Sequence, residues 1–179
     1  MPPCRIVFLR HGQTEWNAEL RMQGTKDVPL NETGIAQIRA ACRRMEEEGS
    51  LPFAGIVSSP LLRARQSADI CAETFGLPVL ENAAFRERSF GELEGLTVGE
   101  IRLRYGIGDV EQILGSRYGV ESMQSLAERV DAGLAWLRRT YGGQSALAVT
   151  HGSVIRIIAE RLGSPIGIID NGCYREWEL

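Results

Sequence analysis

The sequence predicts an α/β protein, a three-layer α/β/α sandwich with a mostly parallel central sheet. Two observations favour this class: short apolar runs rich in β-branched residues alternate with longer segments of helical periodicity, and the runs end in polar, glycine-containing loops. A chain of 179 residues is long enough for one domain with a sizeable core. We therefore expect a single domain over residues 1–179, with a short cap segment around 81–120.

The strands are predicted where short apolar runs end at a polar or glycine-containing loop. They cover residues 6–9, 55–58, 78–80, 146–150 and 173–179. The run at 6–9, Ile-Val-Phe-Leu, is apolar throughout, which is typical of a strand buried on both faces. In the last run apolar residues alternate with charged ones, which indicates a strand with one exposed face.

The helices are predicted from apolar residues that recur at helical spacing and from the capping residues before them. They cover about residues 31–48, 59–75, 97–105, 122–141 and 153–162. Asn31 and Ser122 can each cap the helix that follows, and Thr97 begins a capping-box pattern. Ser59 and Pro60 have the chemistry of an N-cap and a first helical turn.

Two segments before the 122–141 helix are predicted to form the cap. Residues 81–95 lose periodicity and are rich in charge, which is typical of a functional or a solvated loop. Residues 106–120 contain several glycines and are weakly amphipathic, so we expect a short helical excursion over the site.

The composition excludes several classes of function. The formal net charge is −3 and the basic residues are spread along the chain, so we expect no nucleic-acid partner. No apolar stretch approaches the length of a membrane span and the first residues lack a signal-peptide pattern, so we expect a cytoplasmic protein with no membrane partner. The four cysteines are scattered, so we expect reduced thiols, with Cys42 and Cys71 as small core residues.

The chain contains only two histidines, and both stand in the same setting. His11 follows the first apolar run, His151 follows the run at 146–150, and a glycine comes directly after each. Strands of α/β folds deliver their carboxyl ends to a site. Each histidine could instead be satisfied by a backbone partner at its own strand end, but the pairing, together with Arg10 directly before His11, favours a shared site.

Five motifs together resemble the histidine phosphatase superfamily, which includes the cofactor-dependent phosphoglycerate mutases. They are Arg10-His11-Gly12-Gln13-Thr14 with Asn17, residues 24–34, residues 58–68, Glu87 with residues 90–95, and Thr150-His151-Gly152. They follow the family's order from Arg10 almost to the C-terminus, so the resemblance covers essentially the whole chain. It implies a phosphoglycerate mutase-like fold and chemistry on phosphate esters.

An imidazole nitrogen is nucleophilic at neutral pH, so a histidine can attack phosphorus and form a phosphohistidine. The resemblance implies that His11 is this nucleophile. The charge on the transferred phosphoryl group needs several preorganised donors, and the resemblance assigns them to Arg10, Arg63 and a protonated His151. From its helix position alone, Arg63 could equally cover surface.

The resemblance also assigns the remaining roles. Asn17 is a neutral donor, and the Gly152 amide lies at a helix start, where anions are favoured. Glu87 aligns with the acid–base residue that protonates the leaving oxygen and then takes a proton from the attacking water. Weaker candidates for contacts with phosphate or the organic part of the substrate are Gln13, Thr14 and Gln23.

Other polar residues receive no role. Exposed arginines usually form a solvated surface. This applies to Arg21, Arg102, Arg104 and Arg117. The ligand spacings typical of zinc are absent, so we expect neither a metal nor a cofactor.

The predicted function is a metal-independent phosphomonoesterase of the histidine acid phosphatase type that acts on a small phosphorylated metabolite. Residues 88–97, which follow Glu87, are similar to the phosphatase branch of the family. The main alternative is mutase-type phosphoryl transfer, and the less favoured ones are a protein-phosphohistidine phosphatase and a non-catalytic module that binds a phospho-ligand. Neither the substrate nor the oligomeric state follows from the sequence.

Overall fold

The computed structural model describes residues 2–49, 52–108 and 117–179. Within these residues a five-stranded sheet forms the centre of the molecule. Its strands are β1 (Arg5–Arg10), β2 (Ile56–Ser58), β3 (Val79–Glu81), β4 (Ser145–Thr150) and β5 (Tyr174–Glu178). Their order is β3-β2-β4-β1-β5, and every neighbouring pair is parallel except β1 with β5. The predicted mostly parallel sheet is confirmed.

Helices cover both faces of this sheet. The described helices are α1 (Glu15–Ala18), α2 (Glu32–Glu47), α3 (Leu62–Phe75), α4 (Val98–Tyr105), α5 (Met123–Tyr141) and α6 (Gly152–Arg161). Ile6 of β1 packs in a core with α5 and α6, whereas Val7 packs in a second core with α2 and α3. Cys42 and Cys71 are free thiols in this second core. The three-layer sandwich is therefore confirmed. None of the described helices is long and apolar enough to span a bilayer.

Three predicted N-caps are confirmed, because each side chain accepts a hydrogen bond from the amide three residues later: Asn31, Thr97 and Ser122. The predicted cap at Ser59 is wrong. Helix α3 begins at Leu62, with Leu61 at the N-cap position and no capping side chain. The Ser59 oxygen instead accepts from the Leu61 amide at 3.3 Å and lies 2.7 Å from Nε2 of His151, so it holds the turn before the helix and a long-range partner at once.

The cap segment packs on a small third core. This core consists of Phe90, Leu93, Ile101 and Val120. The 81–95 loop contains two short 3-10 turns, Ala83–Phe85 and Gly91–Leu93. The predicted helical excursion over 106–120 falls mostly on 109–116, which lies outside the described residues, and Arg117–Gly119 forms a further 3-10 turn.

Candidate active site

The two histidines leave the sheet side by side. Strands β1 and β4 are parallel neighbours in which Arg10 pairs with Thr150, so His11 and His151 follow at the same edge. Their ring centroids are 5.1 Å apart, and the side chains are 2% and 0% exposed. The structure thus brings together two residues that are 140 positions apart in the chain.

Two contacts fix the tautomer of His11. Its Nδ1 lies 2.7 Å from the carbonyl oxygen of Gly12, and its Nε2 lies 3.1 Å from Nε of Arg63. A guanidinium has donors only, so Nε2 accepts and the proton is on Nδ1. Burial, followed by the charges of Arg63 and Arg10, holds the pKa of His11 well below 6.5. The ring is therefore neutral at neutral pH, with the lone pair on Nε2.

Arg63 is a buried cation, not a surface residue. Its side chain is 1% exposed, and its two Nη atoms donate to the carbonyl oxygens of Lys26 at 2.9 Å and Gly24 at 2.8 Å. Burial lowers the pKa of Arg63 to about 10, which still leaves it charged at neutral pH. The three acceptors of the guanidinium orient it next to the lone pair of His11.

Arg10 supplies a second cation to the same site. Its Nη1 donates to the carbonyl oxygen of Ile169, while its buried Nε has no hydrogen-bond partner among the described residues. Burial lowers the pKa of Arg10, and the charge of Glu87 partly opposes this effect. Gly152 begins helix α6 close by, so the N-terminal end of a helix adds partial positive charge.

The surroundings of His151 in the free protein disfavour a charged ring. Its Nε2 is paired with the Ser59 hydroxyl, and within the described structure its buried Nδ1 has no partner. Burial, followed by the charges of Arg63, His11, Arg10 and Arg129, holds the pKa of His151 well below 6.5. We predicted a protonated ring, but the protein groups around it favour the neutral form.

Asn17, Gln23 and Thr14 belong to one small network around α1, a helix that the sequence did not predict. The Oδ1 atom of Asn17 accepts from the Thr14 amide at 3.1 Å and from Nδ2 of Asn171 at 3.3 Å. The Nδ2 atom of Asn17 is thereby left as the donor at the site. The Thr14 hydroxyl donates to Oε1 of Gln23 at 2.9 Å and caps α1, so Thr14 orients its neighbours.

Glu87 reaches the site from the 81–95 loop. Its Oε1 accepts from the Arg88 amide at 2.8 Å, and its Oε2 accepts from the Ser153 amide at 3.4 Å. The second contact links the carboxylate to the first turn of α6, beside Gly152. Glu87 is thus the acidic residue that the structure brings to the histidine pair.

A cavity of about 190 Å³ opens beside His11. Seven predicted candidates line it: Arg10, His11, Asn17, Gln23, Arg63, Glu87 and Gly152. His151 and Thr14 are fully buried and do not form part of its wall. They therefore contact the lining residues but do not reach the cavity surface.

Sequence reasoning missed several other residues of this wall. They are Met22, Gly24, Phe90, Ser153, Arg156, Ile168 and Ile169. Helical spacing could have identified Arg156, which lies four positions after Gly152. Of the arginines without a predicted role, Arg21 lines the cavity and is paired with Glu19 at 2.5 Å. The others do not line it: Arg102, Arg104 and Arg117.

Comparisons with known proteins identify the family to which the chain is similar. The model of the histidine phosphatase superfamily (branch 1) matches residues 6–171. The uncharacterized phosphatase PhoE of Bacillus subtilis is 33% identical over 153 residues, which cover 86% of this chain and 74% of that protein. A 2,3-bisphosphoglycerate-dependent phosphoglycerate mutase of Methylobacterium radiotolerans is 35% identical over 162 residues, covering 86% of this chain and 76% of the mutase.

A solved structure is similar over nearly the whole fold. Mycobacterial glucosyl-3-phosphoglycerate phosphatase, in complex with VO3, superposes with a TM-score of 0.85 at 31% sequence identity. The match covers 96% of this chain and 91% of the mycobacterial chain.

Proposed function

This chain belongs to the histidine phosphatase superfamily, and we propose that it is a metal-independent phosphomonoesterase of the histidine acid phosphatase type acting on a small phosphorylated metabolite. The proposal makes His11 the nucleophile and Glu87 the general acid and base. The observation that carries it is the Nε2 lone pair of His11, which is fixed by the Gly12 carbonyl on the other ring nitrogen and flanked by the buried cation of Arg63.

In the first step, Nε–H of Arg63 turns from Nε2 of His11 to a phosphoryl oxygen, the freed lone pair attacks phosphorus and the bond to the ester oxygen breaks. The leaving oxygen takes a proton from the Glu87 carboxylic acid, so an alcohol departs. The charge of the equatorial oxygens is stabilised by Arg10, Arg63 and Asn17. The hydrogen bond from Nδ1 to Gly12 becomes stronger as the ring gains positive charge.

In the second step, water attacks the phosphohistidine and the bond between Nε2 and phosphorus breaks. The Glu87 carboxylate accepts the proton of the water, which restores the acid for the next turnover. Inorganic phosphate leaves, and His11 returns to its neutral tautomer. No proton or electron remains unaccounted for in this cycle.

A bound phosphate dianion would raise the pKa of His151, because it places negative charge close to a ring whose pKa is depressed by burial and by arginines. We propose that His151 takes up a proton with the substrate. The charged ring would then act on the phosphoryl group electrostatically, from behind the cavity wall.

Mutase-type transfer is the second candidate, because relatives of comparable identity are named as mutases. A mutase must retain its phosphohistidine until a second hydroxyl arrives, which requires a closed site that excludes water. The similarity of residues 88–97 to the phosphatase branch favours hydrolysis instead.

The test is hydrolysis of p-nitrophenyl phosphate in EDTA by the wild type and by His11→Ala, with 3-phosphoglycerate assayed beside it with and without 2,3-bisphosphoglycerate. Arg104→Ala is the matched control, because Arg104 does not line the cavity. We expect metal-independent phosphate release that His11→Ala abolishes and Arg104→Ala retains. Isomerisation without hydrolysis would replace the phosphatase by the mutase, and inactivity on both esters would contradict both.

A further inference from the structure

Arg129 lies outside the cavity but contacts the backbone of the loop that carries Glu87. It projects from α5, and its Nη1 donates to the carbonyl oxygens of Ala84 at 2.9 Å and Arg86 at 2.6 Å. Its Nη2 donates to the carbonyl oxygen of Glu87 itself at 3.1 Å. One guanidinium thus holds three backbone acceptors within four residues.

The carbonyl that Arg129 does not contact is held from the sheet. The hydroxyl of Thr150, the last residue of β4, donates to the Phe85 carbonyl oxygen at 2.7 Å. Four consecutive carbonyls, from Ala84 to Glu87, therefore accept from a side chain of a regular element. Since this backbone has no ladder of a sheet to fix it, these four bonds help to determine where the loop lies.

Glu121 orients Arg129 in turn. Its carboxylate accepts from Nε of Arg129 at 2.8 Å and from Nη2 at 2.9 Å, a bidentate pair whose side chains are 15% and 11% exposed. The main chain of Glu121 also donates to the Ser89 carbonyl oxygen at 2.8 Å. Its own carbonyl oxygen accepts from Nε of Arg88 at 2.8 Å. The pair is bound to the loop on both sides of Glu87.

We propose that Arg129 and Glu121 are positioning residues that hold the Glu87 carboxyl group at the leaving oxygen of the substrate. This inference rests on the proposed acid–base role of Glu87. The planar guanidinium is needed because it directs several N–H groups at once, which an ammonium group cannot do in the same geometry. Loss of the pair would let the loop shift and would remove protonation of the leaving group without removing the phosphate site.

The test compares two esters in Arg129→Lys and Glu121→Gln. p-Nitrophenyl phosphate releases a phenolate that departs without protonation, whereas glycerol phosphate releases an alkoxide that needs the proton. We expect the kcat/KM for glycerol phosphate to fall about 10- to 100-fold and that for the aryl ester to fall far less. Inhibition by vanadate should be unchanged. Lysine keeps the charge near His151, so the comparison isolates the guanidinium geometry.

Arg161→Lys is the matched control, since Arg161 forms an exposed bridge to Asp131 with side chains 48% and 49% exposed. It should leave both esters and vanadate inhibition unchanged. Equal losses on the two esters, or weaker vanadate inhibition, in Arg129→Lys would show a merely structural role and overturn the inference. Should Arg129→Lys not fold, the same comparison in Glu121→Gln decides.

Glu87→Gln separates this inference from the proposed function. If Glu87→Gln spares the kcat/KM of the aryl ester and lowers that of the alkyl ester while Arg129→Lys does not, the positioning role alone is wrong. If Glu87→Gln slows neither ester, the acid–base role of Glu87 is wrong, and the positioning role with it.

Discussion

Acidification should destabilise this protein through its two histidines. Burial, followed by the charge of Arg63, holds the pKa of both His11 and His151 well below 6.5 in the folded state. The unfolded chain protonates both near pH 6.5. Between the folded and the unfolded pKa values the unfolded state binds more protons, so the free energy of unfolding decreases as the pH falls below about 6.5.

The magnitude follows from the number of rings. Each histidine contributes up to about 1.4 kcal/mol per pH unit in this range, so the two give a limiting slope of about 2.7 kcal/mol per pH unit. Integrated from about pH 7.5 to about pH 5, the loss in the free energy of unfolding is at most about 4 kcal/mol. The chain has no third histidine, and ordinary carboxyl groups titrate mainly below this range.

The assay is urea unfolding followed by tryptophan fluorescence across this pH range, for the wild type, His11→Asn, His151→Asn and the double variant. Each single variant should have about half the wild-type slope, and the double variant should be nearly flat. A wild-type loss below about 1 kcal/mol, or a double variant that keeps the full slope, would refute the reasoning. The neutral Nε2 of His11 would then no longer follow from burial.

Two further predictions concern residues around His11. A Cβ atom at Gly12 would lie 2.8 Å from the carbonyl carbon of Gly34. Gly12→Ala should therefore displace the His11 loop and lower kcat/KM on the order of 100-fold. The control Gly99→Ala lies in an open position and should leave kcat/KM unchanged. Arg63→Met should abolish phosphate release. It should reduce the free energy of unfolding by less than about 3 kcal/mol, because relief of the burial cost that lowers the pKa of Arg63 offsets the lost hydrogen bonds. A larger loss in urea unfolding would contradict this prediction.

The positions of the strand-end residues could be predicted from the sequence because the rule behind them is local. An apolar run followed by a polar residue and glycine locates the end of a buried strand, and parallel neighbours bring such ends to one edge. His11 and His151 meet for this reason. Arg63 is different: its helix position suits a surface residue equally well, and only acceptors on two other segments, at Gly24 and His11, make it part of the site.

The wrong prediction at Ser59 has an energetic explanation. An N-cap side chain stabilises a helix by about 1 kcal/mol, and a buried polar group without a partner costs about 1–3 kcal/mol. Since Nε2 of His151 is buried, pairing it with the Ser59 hydroxyl is worth at least as much as capping α3. The Ser59 oxygen still accepts from the Leu61 amide, so the residue holds the turn before α3 without capping the helix.

Arg129 could not be identified from the sequence. Its hydrogen bonds go to backbone carbonyl oxygens, which every residue type has. No sequence motif therefore indicates these contacts. Yet the charged, aperiodic 81–95 loop was recognisable, and buried carbonyls in such a loop must find donors outside it. Such a loop has no strand or helix of its own at the acid that it must hold in place. It therefore requires a donor, such as an arginine, on the element that packs against it.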